Sequence, residues 1–197
     1  MRLNSVYFEV EGIDLVADPI YRFINFTIPA KENPNEVTEE ALINSAWIQR
    51  LRFIYQLQNV RWVYPAGEHT RFQHVLGSMH LGGRFGRRIY SSLEKVVKKC
   101  PSQNFVEEVL RIAGLVHDVG HGPFGHFFDH NFLLPKYRIT HEDIGKEIII
   151  TKLGKDLKGI QRSPTGKFER GEHINPNYIA YLIKKGGRHD KYPDWLR

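Results

Sequence analysis

One stretch constrains this chain more than any other. The thirteen residues from His117 to Asp129, HDVGHGPFGHFFD, hold three histidines, two aspartates, three glycines and a proline. An apolar run, Val109–Val116, leads straight into it. A buried helix has no use for such a mixture, because each imidazole or carboxylate taken out of water needs a partner. Glycine and proline also stop a helix from continuing. The stretch therefore reads as the end of an apolar helix at a place where polar side chains gather. It suits a site that holds a metal ion and a charged substrate.

Most of the remaining periodicity is helical. Residues 5–28 are the exception. Val6, Phe8 and Val10 share one face, Ile20–Phe26 alternates again, and Asp18-Pro19 punctuates the two, which predicts a small β-hairpin. Residues 29–37 read as a polar loop. Thr38 can cap a helix with Glu39 and Glu40 in its first turn, where carboxylates suit the helix dipole, and Ser45 offers a second cap. Ile48, Leu51, Arg52 and Tyr55 follow at helical spacing. Residues 60–65 read as an extended segment stopped by proline, and 67–69 as a turn. A long helix starts at Thr70 and turns Phe72, Leu76 and Met79 inward. Gly77, Gly82, Gly83 and Gly86 within it imply close helix–helix contact or close substrate approach. After Pro101-Ser102 a third helix covers about 103–117. Leu133-Leu134-Pro135 reads as a break. Thr140 caps a helix with Ile144, Ile148, Ile149 and Leu153 as its apolar stripe. Residues 154–177 look like a surface loop or mobile insertion, and a short helix covers 177–185. Asp194-Trp195-Leu196-Arg197 reads like the start of another apolar helix.

The length of 197 residues allows one domain with a real core and at most a small appendage. No apolar run is long enough to span a bilayer. Acidic residues stand where a secretory signal would stay apolar, so the expected location is intracellular, in the cytoplasm. A single cysteine, Cys100, excludes an internal disulfide and a thiolate-rich metal site. The net charge of +6 favours anionic partners such as nucleotides; nucleic acid is a weaker expectation, for no zinc finger, RGG run or lysine tract is present.

Eight of the ten histidines (69, 74, 80, 117, 121, 126, 130 and 141) lie between positions 69 and 141. His117 and Asp118 are neighbours at a helix end, where both can face one point. His74, on a different helix, can bring a third ligand. Two imidazoles and a carboxylate suit Mn, Fe, Zn or Co, or Mg with more oxygens, and leave positions open for water and substrate. His121, His126 and His141 can contact phosphate oxygens or protonate a leaving group. Arg71, three residues before His74, can clamp a phosphate. Plain structural readings apply elsewhere. His69, His80 and His130 read as surface or structural residues, Phe124, Phe127 and Phe128 as core, and the basic residues 155–170 as a solvated face.

These residues also resemble a known family. Asp18-Pro19-Ile20-Tyr21, the helix WIQRLRFIYQL (47–57), HTRFQHVLG (69–77), the central stretch and Thr140-His141-Glu142 together resemble the HD-domain phosphohydrolases. The similarity is to the branch that contains the deoxynucleoside triphosphate triphosphohydrolases, and it runs over residues 18–150. It implies a mostly α fold, an HD-domain helical bundle with a small N-terminal β-hairpin: residues 1–28 as a hairpin appendage and 29–197 as the HD domain. It implies His74, His117 and Asp118 as ligands of a divalent metal. His121, His126, Asp129 and His141 would surround the phosphates, with His126 as general acid, Arg71 on phosphate and Gln56 on the sugar. Metal-bound water or hydroxide would attack the α-phosphorus of a deoxynucleotide and release deoxynucleoside and triphosphate. Such relatives commonly assemble as oligomers. Gln73, Val75 and Gly125 depart from the usual Glu, Ser and Ser. The family's last ligand, an aspartate in a DxDxxDYxxRD-like helix, has no counterpart here. His189-Asp190 sits in a loop context, and Asp190 or Asp194 is a poor substitute, so the domain reads as incomplete at its C-terminal end. The rival readings are an HD hydrolase of another phosphomonoester or a cyclic nucleotide, and a non-catalytic module that binds nucleotide or nucleic acid.

Overall fold

The computed structural model describes residues 10–185 and 191–197. The expectations for Val6 and Phe8, and for the His189-Asp190 loop that begins at Gly186, lie outside the described residues. Two strands, β1 (Ile13–Asp18) and β2 (Arg22–Thr27), form an antiparallel hairpin whose register pairs Ile13 with Thr27 and Asp18 with Arg22. Asp18 Oδ1 closes its turn, accepting from the backbone N–H groups of Ile20 and Tyr21 at 2.8 Å each. Among the described residues everything else of size is helical: α1 (Glu39–Ile43), α2 (Ala46–Gln49), α3 (Arg71–Val96), α4 (Gln103–Val116), α5 (His126–Phe128), α6 (Leu134–Tyr137), α7 (His141–Thr151), α8 (Gly154–Gly159) and α9 (Pro176–Ile183). The chain is thus mostly α with a small N-terminal hairpin, as its periodicity predicts.

The pair α3 and α4 forms the spine. Leu42, Ile48, Leu51, Met79, Ile112 and Leu115 are fully buried around it. Glycine sets the approach of the two helices. A Cβ on Gly82 would lie 2.4 Å from the Leu110 carbonyl oxygen, and one on Gly114 would lie 2.5 Å from that of Ser78. The close contact expected of the α3 glycines is therefore helix on helix. α3 opens on a capping box: the Gln73 side chain accepts from the Thr70 N–H at 3.0 Å. Glutamine replaces the family's usual glutamate there, and its Oε1 makes the same bond.

The hairpin is tied in by a buried ion pair. Arg111, 1% exposed, donates through Nε to Glu39 Oε1 at 2.7 Å and through Nη2 to the Asn25 carbonyl oxygen at 2.7 Å. The N–H of Thr27 donates to Glu39 Oε2 at 2.9 Å. Glu39 does stand in the first turn of α1, but its carboxylate is taken by Arg111, and the Thr38 hydroxyl makes no cap bond.

Four expectations need correction. Residues 60–65 are not extended: the chain makes tight 3₁₀ turns at Gln58–Trp62 and Pro65–Gly67, and Val60, Trp62, Val63 and Tyr64 stay exposed, with no strand among the described residues to pair with. Leu133-Leu134-Pro135 is no break. A wide turn, Asp129–Leu133, carries α5 into α6, and Pro135 sits in the first turn of α6, where a missing N–H costs little. Residues 154–177 are not a free loop. They hold α8 and a short hairpin, β3 (Arg162–Ser163) with β4 (Gly166–Lys167), and they bury Leu157, Ile160 and Ile174. Phe124 and Phe127 are not core. They are 64% and 59% exposed, because the backbone turns outward at Phe124 (φ 62°) and Gly125 (φ 52°). Asp194–Leu196 forms a single 3₁₀ turn.

Candidate functional site

The site gathers at the C-terminal end of α4. His117 follows the last residue of that helix, Asp118 comes next, and a tight turn leads on to His121. His74 reaches the same place from the second turn of α3. Its Nε2 lies 3.1 Å from His117 Nε2 and 3.8 Å from Asp118 Oδ2, and His117 Nε2 is 3.3 Å from Asp118 Oδ1. One ligand atom from each of these residues falls within 4.8 Å of the others. The other nitrogen of His117, Nδ1, is 2.8 Å from the Gly114 carbonyl oxygen. A carbonyl can only accept, so Nδ1 carries the proton and Nε2 keeps its lone pair, the form in which imidazole ligates a metal.

Asp118 is 5% exposed, and buried Arg71 donates to its Oδ2 at 2.5 Å. Burial works against the charge of this carboxylate. His121, His117 and Arg71 outweigh it and hold Asp118 far below the usual aspartate range. Burial likewise pushes His74 and His121 down, against the pull of Asp118, so both favour the neutral imidazole.

A second cluster adjoins the first. His121 is fully buried, with Nε2 3.4 Å from Asp118 Oδ1, and its ring stacks on His141 at 3.6 Å between centroids. His141, the first residue of α7, hydrogen-bonds Asp129 through Nδ1, and His126 Nδ1 lies 3.6 Å from the same carboxylate oxygen. Candidate ligand atoms of His121, His126, Asp129 and His141 again fall within 4.8 Å of one another. Gly120 lets the turn press on α7, since a Cβ there would lie 1.9 Å from the His141 carbonyl oxygen. Gly125 stands where the family's usual serine would put a Cβ 2.7 Å from Arg71 Nη2.

The donor set fits a cation. A metal about 2.0–2.1 Å from each of two adjacent imidazole nitrogens holds those nitrogens about 3 Å apart, close to the spacing of His74 and His117. Several buried polar atoms here also have no hydrogen-bond partner: Arg71 Nε, both nitrogens of His121 and Asp129 Oδ1. Such atoms call for water or a ligand. A cavity of about 380 Å³ opens beside His74, walled by Asp18, Tyr21, His69, Gln73 and Ser78.

The structure thus brings together eight of the nine residues singled out in the sequence: His74, His117, Asp118 and Arg71, then His121, His126, Asp129 and His141. The ninth, Gln56, makes no bond through Oε1 to either group. Among the described residues no further His, Cys, Asp or Glu joins His74, His117 and Asp118, and Asp194 pairs with Arg197 instead. Gly114 was missed. Its only signal was a glycine in an apolar helix, three residues ahead of a histidine.

A helical bundle whose spine ends in a His-Asp pair, met by a histidine from the neighbouring helix, defines a class. The HD domain family matches residues 71–184, and the chain belongs to that family. Its curated relatives include deoxynucleoside triphosphate triphosphohydrolase SAMHD1 of Homo sapiens, 36% identical over 140 residues, which are 70% of this chain and 20% of that protein. The Bos taurus protein of the same name is 39% identical over 107 residues, 51% of this chain and 17% of that one. The uncharacterized protein MG461 of Mycoplasma genitalium is 28% identical over 159 residues, 79% of this chain and 33% of that one. The chain therefore spans between about a seventh and a third of the length of the relatives it matches.

Proposed function

We propose that this chain forms the metal- and phosphate-binding part of a metal-dependent phosphohydrolase, one that splits deoxynucleoside triphosphates into deoxynucleoside and triphosphate. One observation carries the reading. Asp118 joins the two clusters, with Oδ1 near His117 and His121 and Oδ2 near His74 and Arg71. A site for a cation and a site for phosphate oxygens thereby share one wall. The names of the SAMHD1 relatives support the choice of substrate.

His74, His117 and Asp118 would hold the divalent ion, of the Mn, Fe, Zn, Co or Mg type. Bound there, it supplies Lewis acidity and lowers the pKa of water. The chain's own residues do the rest. Arg71, fixed by Asp118, presents its unpartnered Nε edge to a phosphate oxygen. His121, His141 and Asp129 line the phosphate side. His126, the exposed member of the second cluster, has Nδ1 3.6 Å from Asp129 Oδ2 and would serve as the general acid. Water adds to the α-phosphorus, the bond from that phosphorus to the sugar 5′ oxygen breaks, His126 passes its proton to the leaving oxygen, and the proton released by the water restores that of His126 through solvent. Within this reading residues 29–197 are the domain proper, and the hairpin through residue 28 is attached to it at Arg111. Assembly of several copies and a cytoplasmic location belong to the same reading.

The test is to incubate the protein with each deoxynucleoside triphosphate and Mn²⁺ or Co²⁺ and to resolve the products by phosphorus NMR. Triphosphate should appear with the full-length protein that carries this chain and vanish when His117→Ala is introduced into it. Full activity in that variant would sink the site assignment. Inorganic phosphate without triphosphate would move the substrate to another phosphoester. Nucleotide binding without turnover under every metal would make the chain a binding module.

A further inference from the structure

We propose that Arg50 is a positioning residue for this site: it anchors the turn that joins His117 and Asp118 to His121. The role rests on the proposed metal and phosphate reading. Its geometry stands apart from that reading. Arg50 begins the 3₁₀ turn that follows α2, and its Nη2 donates to the Val119 carbonyl oxygen at 2.5 Å, across 69 positions of sequence.

Three observations make this more than a chance contact. Val119 is fully buried, so its carbonyl cannot turn to water. The Arg50 guanidinium is half-buried, its Nε has no partner, and among the described residues no carboxylate lies within ion-pair reach of it. A cation held in that way is directed at the carbonyl and not at an acid. The Val119 carbonyl also lies three residues past the end of α4, inside the turn whose own N–H groups at Val119 and His121 are bonded to Val116 and Asp118.

The turn is gripped from both sides. Arg50 holds Val119, and on the opposite flank Gly120 packs directly on the His141 carbonyl oxygen and the Gly145 N–H at the start of α7. His117 and Asp118 come immediately before the gripped pair and His121 immediately after. If the turn shifts, one ligand set and one phosphate-side histidine move together. Residues that orient metal ligands from behind commonly govern affinity by about ten- to a hundred-fold.

The experiment compares wild type, Arg50→Met, Arg50→Lys and His117→Ala in the full chain, with Co²⁺ as the probe. Binding is read by titration and by the cobalt ligand-field spectrum at a temperature where each protein is folded. Arg50→Met should bind Co²⁺ about ten-fold or more weakly with an altered spectrum, and Arg50→Lys, which keeps a donor of shorter reach, should recover part of both. Equal affinity and an unchanged spectrum in Arg50→Met, while His117→Ala loses binding, would overturn the proposal. If the wild-type chain takes up no cobalt, the metal reading falls by itself. The anchor is then read from the histidine side-chain NMR signals, where His117 and His121 should shift in Arg50→Lys more than the core methyl signals do. Unmoved histidine signals overturn it.

Discussion

His117 donates through Nδ1 to the carbonyl oxygen of Gly114, one turn earlier in α4, at 2.8 Å. That bond decides which nitrogen of the ring faces His74 and Asp118. It also puts a glycine at the centre of the site's construction, because the Gly114 Cα sits against the Ser78 backbone of α3. One residue sets both the tautomer of His117 and the gap between the two helices that carry the site.

Gly114→Ala should therefore cost both stability and metal affinity. Its Cβ would meet the Ser78 carbonyl oxygen at 2.5 Å, and backbone cannot rotate away as a side chain can. Overpacking of this kind costs about 1–3 kcal/mol. Urea denaturation measures the first effect and Co²⁺ titration the second. A variant unchanged in both would show that α3 and α4 can part without disturbing the site.

Arg71→Met should be more severe. Arg71 is 2% exposed, and its removal leaves the Asp118 carboxylate buried beside two neutral-leaning histidines. Breaking a buried pair from one side costs about 3–5 kcal/mol. The acid limb carries the same information. Asp118 is held below its unfolded value, so its contribution is fully present above the ordinary aspartate range and is lost as pH falls beneath it. Acid unfolding followed by circular dichroism should come at a higher pH in Arg71→Met than in wild type. Coincident curves would mean that the pair contributes nothing.

Glu108 predicts the opposite slope. Both its carboxylate oxygens are buried without a hydrogen-bond partner, and Arg111, 3.8 Å away, is already committed to Glu39. Burial first, and then Glu39, push Glu108 well above the usual carboxylate range. A raised folded pKa means that the stability it brings is complete below the unfolded value, near pH 4, and is lost as pH climbs toward the folded one. Glu108→Gln cannot lose a proton. Its stability relative to wild type should therefore rise as pH is taken from 5 to 8 in denaturation experiments. A pH-independent difference would show that Glu108 is charged throughout.

Phe124→Gly tests strain. Phe124 holds φ at 62° while 64% exposed, so the side chain gains little from burial. A left-handed conformation costs a residue with a Cβ about 1–2 kcal/mol, and glycine pays less, so thermal melting should show the variant as stable as wild type or better by up to about 1 kcal/mol. A clear loss of stability would mean that the Phe124 ring makes contacts that its exposure conceals.

Much of the helical layout could be read in advance because it rests on local physics. The Ser45 and Thr70 caps, the apolar stripes of α3, α4 and α7 and the Asp18 turn all follow from neighbours within a few positions of one another. The misreadings fell where local pattern and tertiary context part company. Valine and tyrosine at 60–64 have strand propensity, but with no partner strand among the described residues the chain winds into 3₁₀ turns. Lysine, arginine, glycine and proline in 154–177 look like a loop. Leu157 and Ile160 still fold it onto the core, and Arg162 pins it to Glu36 at 2.8 Å.

The sequence alone singled out the candidate residues, because histidine, aspartate and glycine at that density have no use in a core. Their grouping came only from the tertiary structure. The approach of α3 to α4, set by glycines 32 positions apart in sequence at Gly82 and Gly114, brings His74 to His117. The crossing of Arg50 to Val119 and the seating of Gly120 on α7 bring His121 to His141. Contacts between distant segments depend on how close two backbones come, and local sequence pattern carries no measure of that distance.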